Sequence, residues 1–285
     1  ITTGERSRVY EKSVDHGQVF LHSACFDHDA KAVVFLQDTE TFRLDLETQE
    51  IVTLAKYQEY RDAHFNPFSV RPHFDRDRKR LVLFDAGSVV RVTNDRNETL
   101  LEVPMDHETT ICRKAKISPS GKLLAIYRVS RGVVFSQDDA KHDTTNVVDI
   151  WDVDSGTLRD SVPFETVVDS VGVDSLDEVL TATLGAVEGP VLIDLATQKE
   201  LHRFEDQWRS DRLATAYSWD WSPDDSLLAV GREKLELYSA GNRQRIEEVP
   251  VDGSIVGRVN HTIFSGDGSR LATHEGNMLV LRVMS

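Results

Sequence analysis

The stretch Ile117-Ser118-Pro119-Ser120-Gly121-Lys122-Leu123-Leu124-Ala125 decides how the rest of the chain is read. A hydrophobe, a polar turn marked by Pro and Gly, and a short apolar run read as two strands joined by a tight turn. Downstream, Val147-Val148-Asp149-Ile150-Trp151-Asp152 reads as a further strand, with a turn at Asp154-Ser155-Gly156.

The phrase recurs. Copies are led by Phe26, Phe74, Ile117, Val173, Trp221 and Phe264, at intervals of 48, 43, 56, 48 and 43 residues. The sharpest are Trp221-Ser222-Pro223-Asp224-Asp225-Ser226-Leu227-Leu228-Ala229 and Phe264-Ser265-Gly266-Asp267-Gly268-Ser269-Arg270-Leu271-Ala272. The long interval holds an insertion, Arg128 to Asn146, between a second and a third strand. His16, His64 and His107 lie ten residues before three of the lead hydrophobes; Pro163, Asp211 and Ser254 take that place in the other copies. The third strands align on Leu44-Asp45, Val92-Thr93, Trp151-Asp152, Ile193-Asp194, Tyr238-Ser239 and Leu281-Arg282.

A four-strand unit of this period, with a His at its entrance and Trp-Asp closing its third strand, resembles the WD-repeat β-propeller family. The resemblance covers the whole chain. It is strongest in the third, fifth and sixth copies and weakest in the second and fourth. It implies an all-β fold, a six-bladed β-propeller of four-stranded antiparallel blades, as a single domain over residues 1–285. Blades are expected at about 15–56, 69–104, 110–163, 166–205, 214–250 and 255–285, the last completed by a strand from 4–14. Joining the chain ends gives an interval of 47 residues, one ordinary repeat. A ring closed in this way leaves no unpaired β-edge between its ends. Seven blades would need a repeat that the sequence does not display.

Composition sets bounds. A chain of 285 residues, 40% of them hydrophobic, can bury a large core. No apolar run approaches the roughly 18 residues of a membrane span. The net charge of −15 argues against nucleic acid and anionic membranes as partners over most of the surface. Two cysteines, Cys25 and Cys112, make no disulfide framework and are expected as buried free thiols in a reducing, cytoplasmic setting. The chain opens on Ile1 without a signal-peptide pattern and reads as a module excised from a longer protein.

Candidate sites fall in three places. The insertion carries Gln137-Asp138-Asp139-Ala140-Lys141-His142-Asp143, whose spacing matches no calcium or zinc pattern and which reads as a solvated charged loop. The connectors between blades form one face in this fold, and the richest holds Trp208, Arg209 and Arg212. Trp and Arg are the types most enriched at binding hot spots. Tyr60, Arg61 and Phe65 occupy an equivalent connector. The first strands are expected to line the central channel. Four residues before each lead hydrophobe lie His22, Val70, Arg113, Asp169, Tyr217 and Asn260, five of the six polar. Arg113, Lys114 and Lys116 also make a basic patch on one strand, with nearby carboxylates, not a phosphate, as its expected partners.

The chain has no Gly-x-Ser-x-Gly elbow, no His-Glu-x-x-His and no phosphate-binding glycine loop. Trp151, Trp219 and Trp221 read as blade-packing residues. The expected function is a non-catalytic scaffold binding another protein or peptide, with no cofactor and no metal, and with a basic partner suggested by the acidic balance. Two alternatives stand beside it: a metal-dependent, lactonase-like hydrolase using His22, Asp169 and Asn260 in the channel, and a structural or sensory module of a larger protein.

Overall fold

The computed structural model describes residues 21–26, 31–37, 40–56, 73–75, 77, 79–85, 89–105, 110–130, 145–184, 188–204, 218–231, 234–249, 259–264, 268–275 and 278–284. These form six antiparallel sheets, each built from consecutive strands in sequence order. The first holds β1 (Leu21–Phe26), β2 (Ala32–Gln37), β3 (Glu40–Asp45) and β4 (Ile51–Lys56). The second holds β5 (His73–Phe74), β6 (Arg80–Asp85), β7 (Val89–Asn94) and β8 (Thr99–Pro104). The third holds β9 (Thr110–Ile117), β10 (Leu123–Ser130), β11 (Asn146–Asp152) and β12 (Thr157–Phe164). The fourth holds β13 (Val168–Val173), β14 (Val179–Leu184), β15 (Glu188–Asp194) and β16 (Glu200–Arg203). The fifth holds β17 (Ser218–Trp221), β18 (Leu227–Gly231), β19 (Leu235–Ser239) and β20 (Arg245–Val249). The sixth shows three strands among the described residues, β21 (Val259–Phe264), β22 (Arg270–Glu275) and β23 (Met278–Val283). The expected closing strand, 4–14, lies outside the described residues. No described residue is helical, and none belongs to a helix long and apolar enough to cross a membrane.

All six lead hydrophobes end a first strand. Turn chemistry explains why. The next residue is Asp or Ser, and in the second to fifth sheets it caps the turn to the second strand. Asp75 Oδ1 accepts from Lys79 N at 2.7 Å and Arg80 N at 3.1 Å; Asp174 Oδ1 accepts from Glu178 N at 2.8 Å and Val179 N at 3.0 Å. Ser118 and Ser222 do the same with one hydroxyl each, accepting from Leu123 N at 3.1 Å and Leu227 N at 2.9 Å. Such side-chain acceptors replace a missing backbone partner in a tight turn. Three residues further on, Gly121, Asp177, Asp225 and Gly268 all take positive φ. At Gly121 space matters as well, because a Cβ there would lie 2.8 Å from Asp75 Oδ2 of the preceding sheet.

The Asp of Trp-Asp is a cap of the same kind. Asp45, Asp152 and Asp194 accept from the backbone N–H of Thr48, Ser155 and Thr197 at 2.8, 2.7 and 2.7 Å. These hydrogen bonds favour the ionised form and hold all three carboxyls below their ordinary range. In the second sheet the cap is Asn94, which accepts from Arg96 N at 3.0 Å and pairs with Arg80, so the aligned Val92-Thr93 stands one residue short. The sixth sheet shows the same offset: Val283, not Arg282, pairs with Arg270. In the second sheet the capped turn marks the register, and hydrophobe spacing does not. The insertion is also shorter than the sequence suggests, since β10 continues through Ser130 and β11 begins at Asn146. Its Gln137–Asp143 segment lies outside the described residues.

Burial falls from the second strand outward. Leu123 to Tyr127 of β10 are all buried, as are Leu180 to Leu184 of β14, so these strands are covered on both faces. The outer strands expose Ile51, Leu158 and Ile246. Each consecutive pair of sheets, from the first to the sixth, shares one apolar core. Val34, Ala55, Leu81 and Leu83 join the first and second sheets; Val82, Val92, Ile117, Leu124 and Ile126 join the second and third. Val148, Ile150, Val171, Leu180 and Ala182 join the third and fourth. Leu192, Phe204, Trp219 and Leu228 join the fourth and fifth; Ala229, Leu237, Val259 and Leu271 join the fifth and sixth. The face of the first sheet turned from the second is buried too, at Phe35, Phe42 and Leu44. Successive sheets packed face to face in one direction form a β-propeller.

Candidate functional site

First strands of neighbouring sheets lie against one another: β5 against β9, β9 against β13, β17 against β21. Side chains on these strands therefore share the centre of the molecule. Four of the expected channel positions carry the same backbone irregularity. The ladder of first to second strand skips His22 in β1, Arg113 in β9, Asp169 in β13 and Asn260 in β21. Each is the extra residue of a β-bulge, a device that re-aims a side chain and increases local twist. Arg113 and Asp169 are half-buried. Both charges reach the hydroxyl of Tyr127, which donates to Asn146 Oδ1 at 2.8 Å. Burial holds the Asp169 carboxyl above its ordinary range, and the Lys114 ammonium works against that shift. The side chains of His22 and Asn260, and all of Val70 and Tyr217, lie outside the described residues. So do Trp208, Arg209, Arg212, Tyr60, Arg61 and Phe65.

A second polar layer sits three residues further along the same strands, one before each lead hydrophobe. Its described members are His73, Lys116, Gly172 and Asp220. The sequence reading passed over this layer because its residue type changes with every copy. Lys116 Nζ sits 4.7 Å from the ring centre of Trp219. A cation over an aromatic face is attracted by the ring quadrupole. Gly172 makes that approach possible: a Cβ there would lie 2.4 Å from Trp219 Cη2 and 3.4 Å from Lys116 Cδ. Trp219 thus reaches from the fifth sheet across the fourth to lie beneath the third. Its indole N–H donates to Thr183 Oγ1 at 3.0 Å, and Trp221 donates to Thr181 Oγ1 at 3.1 Å.

Asp220 accepts from the backbone N–H of Phe264 at 2.8 Å and so ties the fifth sheet to the sixth. Burial raises its carboxyl and lowers Lys116, and each charge opposes the shift of the other. Burial also holds His73 well below its ordinary range, with the Lys116 charge adding to the effect. The imidazole is therefore neutral near pH 7, and among the described residues its buried Nδ1 has no hydrogen-bond partner.

Among the described side chains of this layer no nucleophile is paired with a base. Among the described residues no group of three or more His, Cys, Asp or Glu is placed to hold a metal. Cys112 is a buried free thiol, and burial pushes it up to about 12, far from reactive thiolate. The ion pair Arg128–Asp149, with Ser161 donating to the same carboxylate at 2.7 Å, braces the third sheet.

No family model matches the chain, and no curated protein matches it in sequence. Among solved structures, a chain from the crystal structure of the mitotic checkpoint complex matches with a TM-score of 0.62. The match covers 98% of this chain and 86% of that one at 13% identity. Identity at that level speaks for the fold alone, and the fold is the β-propeller that the sheets define.

Proposed function

We propose that the protein is a non-catalytic scaffold that binds another protein or peptide through the face formed by its inter-blade connectors, as the resemblance to WD-repeat propellers implies. Trp208, Arg209 and Arg212 on one connector and Tyr60, Arg61 and Phe65 on another are its contact residues. The observation that carries the reading is the likeness, over 98% of the chain, to a chain solved within a multi-protein complex. The shared cores between neighbouring sheets supply what such a platform requires, a rigid base for variable connectors. The acidic balance, −15 overall, points to a basic partner. Capture from native extract with the intact chain and with a Trp208→Ala, Tyr60→Ala double variant tests it. The intact chain is expected to retain a partner that the folded variant loses by at least about tenfold, the loss of one hot-spot side chain. Equal capture by both would move binding to another face.

One observation favours a second reading. The bulges place His22, Arg113, Asp169 and Asn260 at one register of the first strands. A metal-dependent hydrolase would need three of these side chains around one cation. A Tm raised by Mg²⁺, Ca²⁺, Mn²⁺ or Zn²⁺ and unchanged by metal in Asp169→Ala would support it, since a ligand bound only by the native state raises Tm. A Tm indifferent to all four metals would remove it.

A further inference from the structure

The third and fourth sheets do not close fully against one another at their outer strands. A cleft of about 380 Å³ opens there, walled by Val162, Phe164, Leu184, Val191 and Ile193, all part of the core these sheets share or packed on it. Register explains the gap. Each outer strand carries a bulge, and the third-strand residue beside it is Trp151 in the third sheet, Ile193 in the fourth and Tyr238 in the fifth. Between the fourth and fifth sheets Phe204 stacks on Tyr238 with ring centres 4.5 Å apart. Between the second and third, Val103 shares a core with Trp151. Between the third and fourth the corresponding residues are Val162 and Ile193, and neither supplies a ring. The bulge also shapes the lip. Residues three apart in a strand ordinarily point to opposite faces. The ladder of β15 and β16 skips Leu201, so Glu200 and Arg203 share a face, and Arg203 Nη2 donates to Glu200 Oε2 at 2.6 Å. This pair lines the cleft together with Glu165 and Gln198, and the exposed Val167 follows close behind. Two carboxylates thus stand beside one guanidinium that is already engaged, and the lip is net negative.

We infer that this cleft is a docking site for a short peptide segment of a partner protein, one that inserts an aromatic side chain and carries Lys or Arg beside it. The inserted ring takes the place that Trp151 and Tyr238 fill in the neighbouring junctions, and the basic residue meets Glu165 and Glu200. An acidic segment would meet like charge there. The volume lies at the small end of the range for ligand pockets, roughly 300–1,000 Å³, and fits an anchor side chain. Aromatic anchors in desolvated pockets carry most of the energy of such contacts. The site rests on the scaffold reading only in taking a peptide as its ligand. It adds the connector Glu165-Thr166 and uses none of Trp208, Arg209, Arg212, Tyr60, Arg61 or Phe65.

The test is fluorescence anisotropy of the full chain with three labelled, end-capped pentapeptides: Gly-Lys-Phe-Lys-Gly, Gly-Glu-Phe-Glu-Gly and Gly-Lys-Ser-Lys-Gly. The first is expected to bind at least about tenfold more tightly than either of the others. Ile193→Tyr supplies from within the ring that Tyr238 supplies to the next junction, and it is expected to weaken the first peptide by at least about tenfold at an unchanged Tm. Glu165→Lys alters an exposed residue and leaves the walls intact. It is expected to weaken the Lys peptide by about fivefold and to tighten the Glu peptide. The Trp208→Ala, Tyr60→Ala double variant is expected to bind the first peptide as the native sequence does. Loss of binding in that variant would move the peptide to the connector residues and overturn the cleft. No binding of the first peptide, equal binding of all three, or binding indifferent to both Ile193→Tyr and Glu165→Lys would overturn the cleft and leave the scaffold reading to its own capture experiment. A native chain that sediments as a dimer, with Ile193→Tyr a monomer, would give the cleft to a second copy of the chain and overturn the peptide.

Discussion

Trp219→Ala is expected to lower the stability of the fold by about 3–5 kcal/mol, the range for truncating a buried aromatic. The side chain is only 7% exposed and packs with Leu192, Phe204, Leu228 and Val230 between the fourth and fifth sheets. Its removal opens a cavity there, leaves Thr183 Oγ1 without its donor and takes the aromatic face from beneath Lys116. Equilibrium urea unfolding is the measurement, read as a lower midpoint at unchanged slope. A loss below about 1 kcal/mol, the size of an ordinary surface substitution, would mean that Trp219 does not bridge the sheets.

Gly172→Ala is expected to cost about 2–3 kcal/mol, although alanine is ordinarily the better strand residue. Its backbone does not require glycine, because its φ is not in the left-handed region; space alone does. The added methyl would press on Trp219 Cη2, and that ring is held by Thr183 on one side and Lys116 on another. A rigid ring pinned at two points cannot yield as a free side-chain end does. The decisive form is a double-mutant cycle. In a Trp219→Ala background the obstacle is gone, and Gly172→Ala should become neutral or slightly stabilising. The coupling between the two positions is then at least about 2 kcal/mol. Additive effects would show that the two residues do not meet.

The sequence made the fold legible through its turns more than its strands. Lead hydrophobes followed by Asp or Ser mark the end of every first strand, and at Asp75, Ser118, Asp174 and Ser222 that side chain closes the turn that follows. The aligned third strands slipped by one residue at Thr93 and Arg282; in the second sheet the register follows the capped turn, which uses Asn94 in place of Asp. The channel was half legible. Four residues before the lead hydrophobe is a real structural position, but nothing in composition announces that it is a bulge. The layer nearer the lead residue escaped notice for another reason. Cys25, His73, Lys116, Gly172, Asp220 and Ile263 hold corresponding places and share no chemistry, so no repeat pattern flags them. Its logic lies between sheets: one position must be a glycine so that a tryptophan can pass to a lysine.

The consecutive order of strands within each sheet bears on how the chain acquires its structure. Among the described residues every sheet pairing joins strands adjacent in sequence. Loop-closure entropy within a blade is therefore small, and contacts of short sequence separation form early. As the chain leaves the ribosome, the described strands of each sheet from the second to the fifth are all made before the next sheet begins. Trp219 is synthesised after both Gly172 and Lys116, so it arrives last at a place already prepared for it.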